Sequence, residues 1–292
     1  MISTISQGYD ATATSVLAYE IGCHEVLTMR LPTNDNGTSI AKKIGYDTIH
    51  QIERDAYKDN GSLIEAEAAA TGSTAGIYES YEALCRGKLI FLGTRGDSVW
   101  ERLHDNVNDS LDFHASNGYS QASLYPMEHL LRINSVIVSI PLIGADSWSE
   151  LARISQSDEM KRWSVGDCYD RPIPRRIVEN KGIERDSFGL RKSGAGISYH
   201  LDSFSSLRAK MSEKSYSSLS SFRKGIHRKN IPHLKAVYKF YKAEIPAFIN
   251  YILRKRHIRY RIRGTKTGFT SSPLSSLLFL WGVHEMKKRY QQ

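Results

Sequence analysis

Short apolar runs alternate with longer stretches whose apolar positions recur at helical spacing. Ile2–Ser6, Glu25–Leu31, Asp47–Ile52, Lys88–Gly93 and Ser135–Ile140 predict five strands, and Pro32 closes the second. Between them Thr12–Gly22, Thr38–Gly45 and Leu63–Arg86 predict helices. Strands separated by helical stretches of roughly 10–25 residues imply a parallel sheet covered on both faces. Ligands of such sheets sit at the carboxyl ends of the strands, near the reversal of strand order. From about Ser147 the pattern turns helical, with Pro172–Asn180, Leu201–Met211, His233–Arg254 and Ser275–Tyr290 as expected helices. Val237, Phe240, Tyr241, Ile245, Phe248 and Ile252 recur near helical spacing and read as core. The serine-rich stretch Ser212–Ser221 is expected to be a mobile loop. The expected fold is therefore α/β, a five-stranded parallel sheet with a helical C-terminal extension. Its expected domains are 1–145 and 146–292.

Composition narrows the class. With 40% hydrophobic residues, a mean hydropathy of −0.40 and 292 residues, the chain can bury a substantial core. Cys23, Cys85 and Cys168 lie far apart, which argues against a structural zinc or a disulfide framework. No secretory signal is evident at the start, and the longest apolar run, Leu274–Val283, is too short to span a bilayer. A cytoplasmic protein with no membrane partner is expected. The net charge of +9 hides a split: residues 1–150 carry 10 Lys and Arg against 20 Asp and Glu, and residues 151–292 carry 30 against 11. The basic half is suited to nucleic acid or a polyanionic substrate, or else folds back on the acidic half.

Three stretches carry candidate chemistry. In Ile2-Ser-Thr-Ile-Ser6-Gln7-Gly8-Tyr9-Asp10-Ala11-Thr12 an apolar strand runs into a small polar turn, and a helix begins there. Outward N–H groups and a helix N-terminus hold phosphate, and a carboxylate at Asp10 is placed to hold magnesium against it. An N-cap made by Asp10 or Ser6 is the alternative. In Leu92-Gly93-Thr94-Arg95-Gly96-Asp97 two glycines and an acid again follow a strand. Carboxylates on two strand tips can clamp Mg²⁺ across a triphosphate and neutralise a leaving pyrophosphate; paired turn acids are the alternative. The third stretch, Asp170–Glu179 followed by Gly182–Lys192, is rich in arginine. Asn34 and Asp35 read most economically as helix caps near Thr38. The histidines show no ligand spacing.

The first stretch resembles the Ser-Gly-Gly-x-Asp-Ser loop of the ATP-pyrophosphatase (PP-loop) superfamily. That superfamily includes the asparagine synthetase C-terminal domain, 7-cyano-7-deazaguanine (queuosine-pathway) synthase and the tRNA thiolation enzymes. Ser6, Gly8 and Asp10 match; Gln7 stands at the second glycine and Ala11 at the closing serine. Gly93-Thr-Arg-Gly96-Asp97 resembles the Gly-x-Gly-Asp-Glu stretch of asparagine synthetases, with Ser98 in place of Glu. The resemblance spans about Ile2–Lys192. It implies an adenine nucleotide α-hydrolase-like, Rossmann-like fold that binds ATP and Mg²⁺. Ser6, Gln7, Gly8, Tyr9, Asp10, Ala11, Thr12, Gly93 and Gly96 would hold the nucleotide. Asp10 and Asp97 would hold the metal, and Met29, Arg30 and Leu31 would meet the base through backbone atoms. Lys192, with Arg191 beside it, would support the transition state by balancing charge on the α-phosphate.

The expected activity is that of an adenylating, amidotransferase-like ligase. It would activate a carboxylate or carbonyl oxygen of a small molecule or heterocycle and release AMP and pyrophosphate. No glutaminase domain like that of asparagine synthetases is expected, since Ile2 stands where its nucleophilic cysteine would be, so ammonia would come free or from a partner subunit. The zinc-binding cysteines of 7-cyano-7-deazaguanine synthases are missing too. Two alternatives stay open. One is a catalytically impaired nucleotide-binding module. The other is a tRNA-modifying enzyme that grips phosphates through the basic cluster Arg254–Arg263, with Tyr260 stacking a base.

Overall fold

The computed structural model describes residues 1–30, 36–59, 63–71, 82–100, 127–166, 169–189, 197, 199, 204–225 and 273–291. In chain order the first elements are β1 (Ile2–Ile5), α1 (Tyr9–Glu20), β2 (Glu25–Arg30), α2 (Thr38–Ile44) and β3 (Thr48–Glu53). Next come α3 (Ile64–Thr71), α4 (Glu82–Cys85), β4 (Leu89–Leu92), α5 (Gly96–Val99), α6 (Met127–Arg132) and β5 (Val136–Ser139). The remainder is α7 (Ile140–Ile143), α8 (Trp148–Gln156), α9 (Pro172–Asn180), α10 (Leu207–Lys210), α11 (Glu213–Gly225) and α12 (Pro273–Arg289). The chain divides into two compact units, one of Met1–Asn60 with Gly76–Gly196, the other of Gly61–Ala75 with Ile197–Gln292. The division differs from the expected boundary after residue 145: the stretch 146–196 clusters with the sheet, and the α3 segment clusters with the C-terminal helices.

In the first unit the five expected strands form one parallel sheet in the order β3-β2-β1-β4-β5. The order reverses between β1 and β4, which makes the crevice at their carboxyl ends the natural ligand position. Helix α1 lies against β1 through small polar residues. Thr12, Thr14 and Ser15 are fully buried, Ser15 donates to the Thr4 carbonyl at 2.9 Å, and Tyr46 donates to the Ser15 carbonyl at 2.7 Å. Ile5, Tyr9, Ala13, Val16, Val26, Ile40, Val178 and Phe188 share one core cluster. Ile2, Leu27, Met29, Ile90, Leu92 and Ile133 share another.

The amino ends of the strands hold a charged cluster. Glu25 accepts from Lys88 at 2.6 and 2.7 Å and pairs with His50 at 2.8 Å. Partial burial pushes the Glu25 carboxyl up, but the bonds from Lys88 and His50 outweigh it and hold the group below its ordinary value. A depressed carboxylate stabilises the fold above its unfolded pKa, and that contribution is lost as pH falls through the folded value. Glu25→Gln is therefore expected to cost roughly 1.5 kcal/mol at pH 7, where the bonds are charge-assisted. In urea unfolding the difference from wild type should shrink as pH falls through the folded value of Glu25; a difference independent of pH across the acid range would contradict the assignment.

In the second unit a serine-rich stretch expected as a loop is instead helix α11. Serine is a weak helix former because its hydroxyl competes for backbone bonds. Here those hydroxyls have other partners. Ser212 Oγ accepts the Ser215 N–H at 3.2 Å, an N-cap bond. The buried Glu65 carboxylate of α3 accepts from the Ser212 N–H and the Ser215 hydroxyl, each at 2.6 Å. Ser218 accepts from the Trp281 indole at 3.0 Å and donates to Glu285 at 2.8 Å. The alanines of α3 meet Gly282 of α12 closely: a Cβ at Gly282 would fall under 3 Å from the Ala70 and Ala66 backbone.

Other expected boundaries shift. Helix α1 begins at Tyr9, not Thr12, because Gly8 is extended and serves as its N-cap. Of Leu63–Arg86, α3 and α4 are described and 72–81 lie outside the described residues. Of Leu201–Met211, only Leu207–Lys210 is described as helix. His233–Arg254 and the basic cluster Arg254–Arg263 lie outside the described residues. Among the described residues no helix is long and apolar enough to cross a membrane.

Candidate phosphate-binding crevice

The glycine-bearing loop after β4 closes on Asp10 in the first turn of α1. A Cβ on Gly93 would stand 2.5 Å from the Asp10 carbonyl carbon and 2.7 Å from the Ala11 nitrogen. One on Gly96 would stand 2.5 Å from the Asp10 carboxylate. Both glycines are thus required by the approach of the first turn of α1 to the loop after β4. Asp97 follows Gly96 directly, so the two candidate metal ligands belong to touching loops. Arg95, between the glycines, has φ 68°. For a side chain with a Cβ that left-handed conformation costs about 1 kcal/mol, and such strain gathers at functional sites.

The β1–α1 loop is built locally. Ser6 Oγ accepts the Gly8 N–H at 3.1 Å. The Thr12 hydroxyl is turned inward to the Ser6 and Gly8 carbonyls at 2.7 and 2.8 Å, so Thr12 shapes the loop and does not present its side chain. Gly8 has φ −82° and ψ 156° and, as the N-cap, offers α1 no side-chain bond of its own. A Cβ on Gly8 would meet Ser6 Oγ at 3.4 Å and the Tyr169 oxygen at 3.8 Å, ordinary contacts. The protein's own packing therefore does not demand glycine at this position; a ligand lying over it would. Gln7 is outside the left-handed region, so the turn accepts it in place of glycine without strain. Its carbonyl accepts the Gly189 N–H at 2.7 Å. Ala11 is partly exposed.

Tyr9 does not face the crevice with its side chain. Its ring is fully buried against Tyr169 and Phe188, and its hydroxyl accepts a hydrogen bond from Arg175. Arg175 lies over the Tyr9 and Phe188 rings at 4.9 and 5.3 Å. Gly189 has φ 70°, and a Cβ there would enter the Tyr9 ring.

Asp10 is paired. Arg171 Nη1 donates to both of its carboxylate oxygens at 3.0 Å, and the Arg171 side chain is only 4% exposed. The guanidinium lies 5.1 Å from the centre of the Tyr169 ring. Burial, with the neighbouring Asp10 charge, pushes the Tyr169 phenol up to about 12, so it stays protonated at neutral pH. Asp170, beside Arg171, accepts from the Val165 and Gly166 N–H groups at 3.1 Å and from the Ser164 hydroxyl, which fixes the approach to α9.

Met29 and Arg30 contribute no side chain to the crevice. Met29 sits in a core cluster, and Arg30 is exposed and pairs with Glu53 at 3.1 Å. Their backbone is differently placed. The β1–β2 ladder ends at Ile5 with Thr28, whereas the β2–β3 ladder runs on to Arg30 with Glu53. On its β1 side β2 therefore extends past the ladder by these two residues. The helix at Thr38 is capped by Asn36 Oδ1, which accepts the Thr38 N–H at 3.0 Å. Leu31, Asn34, Asp35, Arg191 and Lys192 lie outside the described residues.

Sequence reasoning named the loops but missed Arg171, Tyr169, Arg175 and Gly189 as members of the site. The signal was present in one form: Arg171 and Arg175 are four apart at the start of α9, on one helical face. Burial pushes the Cys23 thiol up and the Cys85 thiol up to about 12, so neither is a thiolate at neutral pH. The chain has no significant match among known protein families, curated proteins or solved structures.

Proposed function

We propose that the protein is an ATP-dependent adenylating enzyme, with the polyphosphate of ATP over Ser6–Asp10. The observation that carries this reading is the close approach of the glycine-bearing loop after β4 to Asp10, just after the β1–α1 loop, at the sheet's reversal point. The N-terminus of the 12-residue α1 favours an anion there, and glycine at position 8 keeps the approach open. The backbone of Met29 and Arg30, past the end of the described β1–β2 ladder, is proposed to meet the base.

The residues also fit magnesium in one particular way. Mg²⁺ is commonly held by one or two carboxylates together with substrate phosphates. Asp10 and Asp97 supply that number, and among the described residues no group of three or more potential ligands forms. The fit is to an ion carried on the polyphosphate. Bound there, it would neutralise the charge of the departing pyrophosphate. Ser6–Asp10 orient the phosphates, and Arg171 adds a buried positive charge. Arg191 and Lys192 follow Gly189, which is tied to Gln7, and are proposed to balance charge at the α-phosphate.

In the reaction a carboxylate or carbonyl oxygen of the substrate attacks the α-phosphorus. The bond from that phosphorus to the bridging oxygen breaks, and pyrophosphate leaves with the electron pair. Ammonia or an amine then displaces AMP from the adenylated intermediate. We assign the acceptor to the class of small carboxylates or heterocycles.

The Asp10–Arg171 pair favours a second reading, a nucleotide-binding module without turnover, because it occupies the carboxylate that the metal would need. Pyrophosphate release from ATP and Mg²⁺, measured over a panel of carboxylates with ammonia, separates the two. Release abolished by Asp97→Ala is expected. ATP binding without release by the wild type would support the module, and neither binding nor release would overturn both.

A further inference from the structure

Arg171 holds more donors than it uses. A guanidinium carries five N–H groups. Among the described residues the Arg171 guanidinium hydrogen-bonds only through Nη1, and only to Asp10. Nε and Nη2 donate to no described residue, although the side chain is 4% exposed. The pair is thus a one-nitrogen contact, not the two-pronged arrangement that carboxylates and guanidinium groups frequently form. It stands at the start of α1, beside the glycine whose added Cβ would make only ordinary contacts.

We propose that Arg171 is the anion-binding arm of the crevice and that Asp10 holds it in reserve. A polyphosphate binds by taking the guanidinium from Asp10, and the released carboxylate is then available to the divalent cation that accompanies the phosphates. The exchange rests on the reading of the crevice as a polyphosphate site. It keeps the buried guanidinium compensated in both states: by a carboxylate when the site is empty, by phosphate oxygens when it is filled. It also makes phosphate and cation binding mutually dependent, since neither partner of the pair can be left alone. Asp10 in this arrangement opposes anion binding when no metal is present.

That last consequence is opposite in sign to a purely supportive role and can be measured without turnover. Inorganic tripolyphosphate and ATP are titrated calorimetrically in EDTA into wild type, Asp10→Asn, Arg171→Met and the double variant, each with a cooperative thermal melt. Asp10→Asn is expected to bind both ligands at least about tenfold tighter than wild type, and Arg171→Met at least about tenfold weaker. The double variant should bind no tighter than Arg171→Met. Asp10→Ser carries the same test if Asp10→Asn does not fold. Unchanged or weaker binding by the folded Asp10 variant, a gain that survives in the double variant, or a gain confined to ATP overturns the exchange. Pyrophosphate release by the wild type keeps the two readings apart. Release absent with the exchange present overturns adenylation alone; release present with the exchange absent overturns the exchange alone.

Discussion

Asp10→Ala is expected to abolish Mg²⁺-dependent pyrophosphate release and to lower folding stability by about 3 kcal/mol, because removing one partner of a buried ion pair strands the other. The stranded group is Arg171, whose guanidinium would keep the Tyr169 ring as a neighbour but lose its hydrogen bonds. The catalytic loss should be at least about 100-fold, the scale on which removing one preorganised charge-stabilising group acts. The two effects have different origins and separate by experiment. Urea unfolding reports the stranded charge, and release assays well below the melting temperature report the proposed metal role of the carboxylate. Polyphosphate binding in EDTA should survive the substitution. Stability and release that both remain near wild type would contradict the placement of Asp10.

The second large effect is expected at Gly93. A methyl group there meets backbone atoms of Asp10 and Ala11, which cannot rotate away, so α1 or the β4 loop must move. Overpacking of this kind costs roughly 1–3 kcal/mol, and a backbone obstacle puts Gly93→Ala at the upper end. Gly8→Ala is the informative contrast. Its methyl makes only ordinary contacts and its backbone is in a common region, so stability should change by less than about 1 kcal/mol, the scale of an altered N-cap. Nucleotide affinity should nonetheless fall, since the methyl occupies the approach to the turn. Matched urea unfolding and ATP titrations distinguish the two. A Gly8→Ala variant as unstable as Gly93→Ala, with affinity retained, would assign this glycine to the fold alone.

The sheet was legible because β4 and most of β5 are short apolar runs, β1 and β2 are apolar-rich, and each strand is closed by glycine, proline or a polar turn; the alternating Thr48–Glu53 is the least apolar of the five. The candidate loops were legible for a related reason: glycine and aspartate at a strand's carboxyl end are local signals. Arg171 was not. Its partner Asp10 lies 161 positions away, and nothing in the arginine-rich stretch distinguishes the arginine that turns inward from those, such as Arg176 and Arg185, that pair at the surface. The acidic and basic halves of the chain suggested two surfaces, yet a basic residue of the second half completes the neutralisation of Asp10 in the first. Helix α11 failed for the same physical reason. Local propensity reads Ser212–Ser221 as loop, and the Glu65 carboxylate that satisfies its first turn is 147 and 150 positions distant. Thr12 and Tyr9 show the converse limit: their place in the motif was evident, but the inward turn of both side chains follows from packing.

The most direct test is a structure of the protein with a non-hydrolysable ATP analogue and Mn²⁺, the metal located by its anomalous signal. Phosphates over Ser6–Asp10, between the carboxyl ends of β1 and β4, with the metal near Asp10, is the predicted result. A nucleotide bound elsewhere, such as the charged amino end of the sheet around Glu25 and Lys88, would contradict the crevice as a nucleotide site.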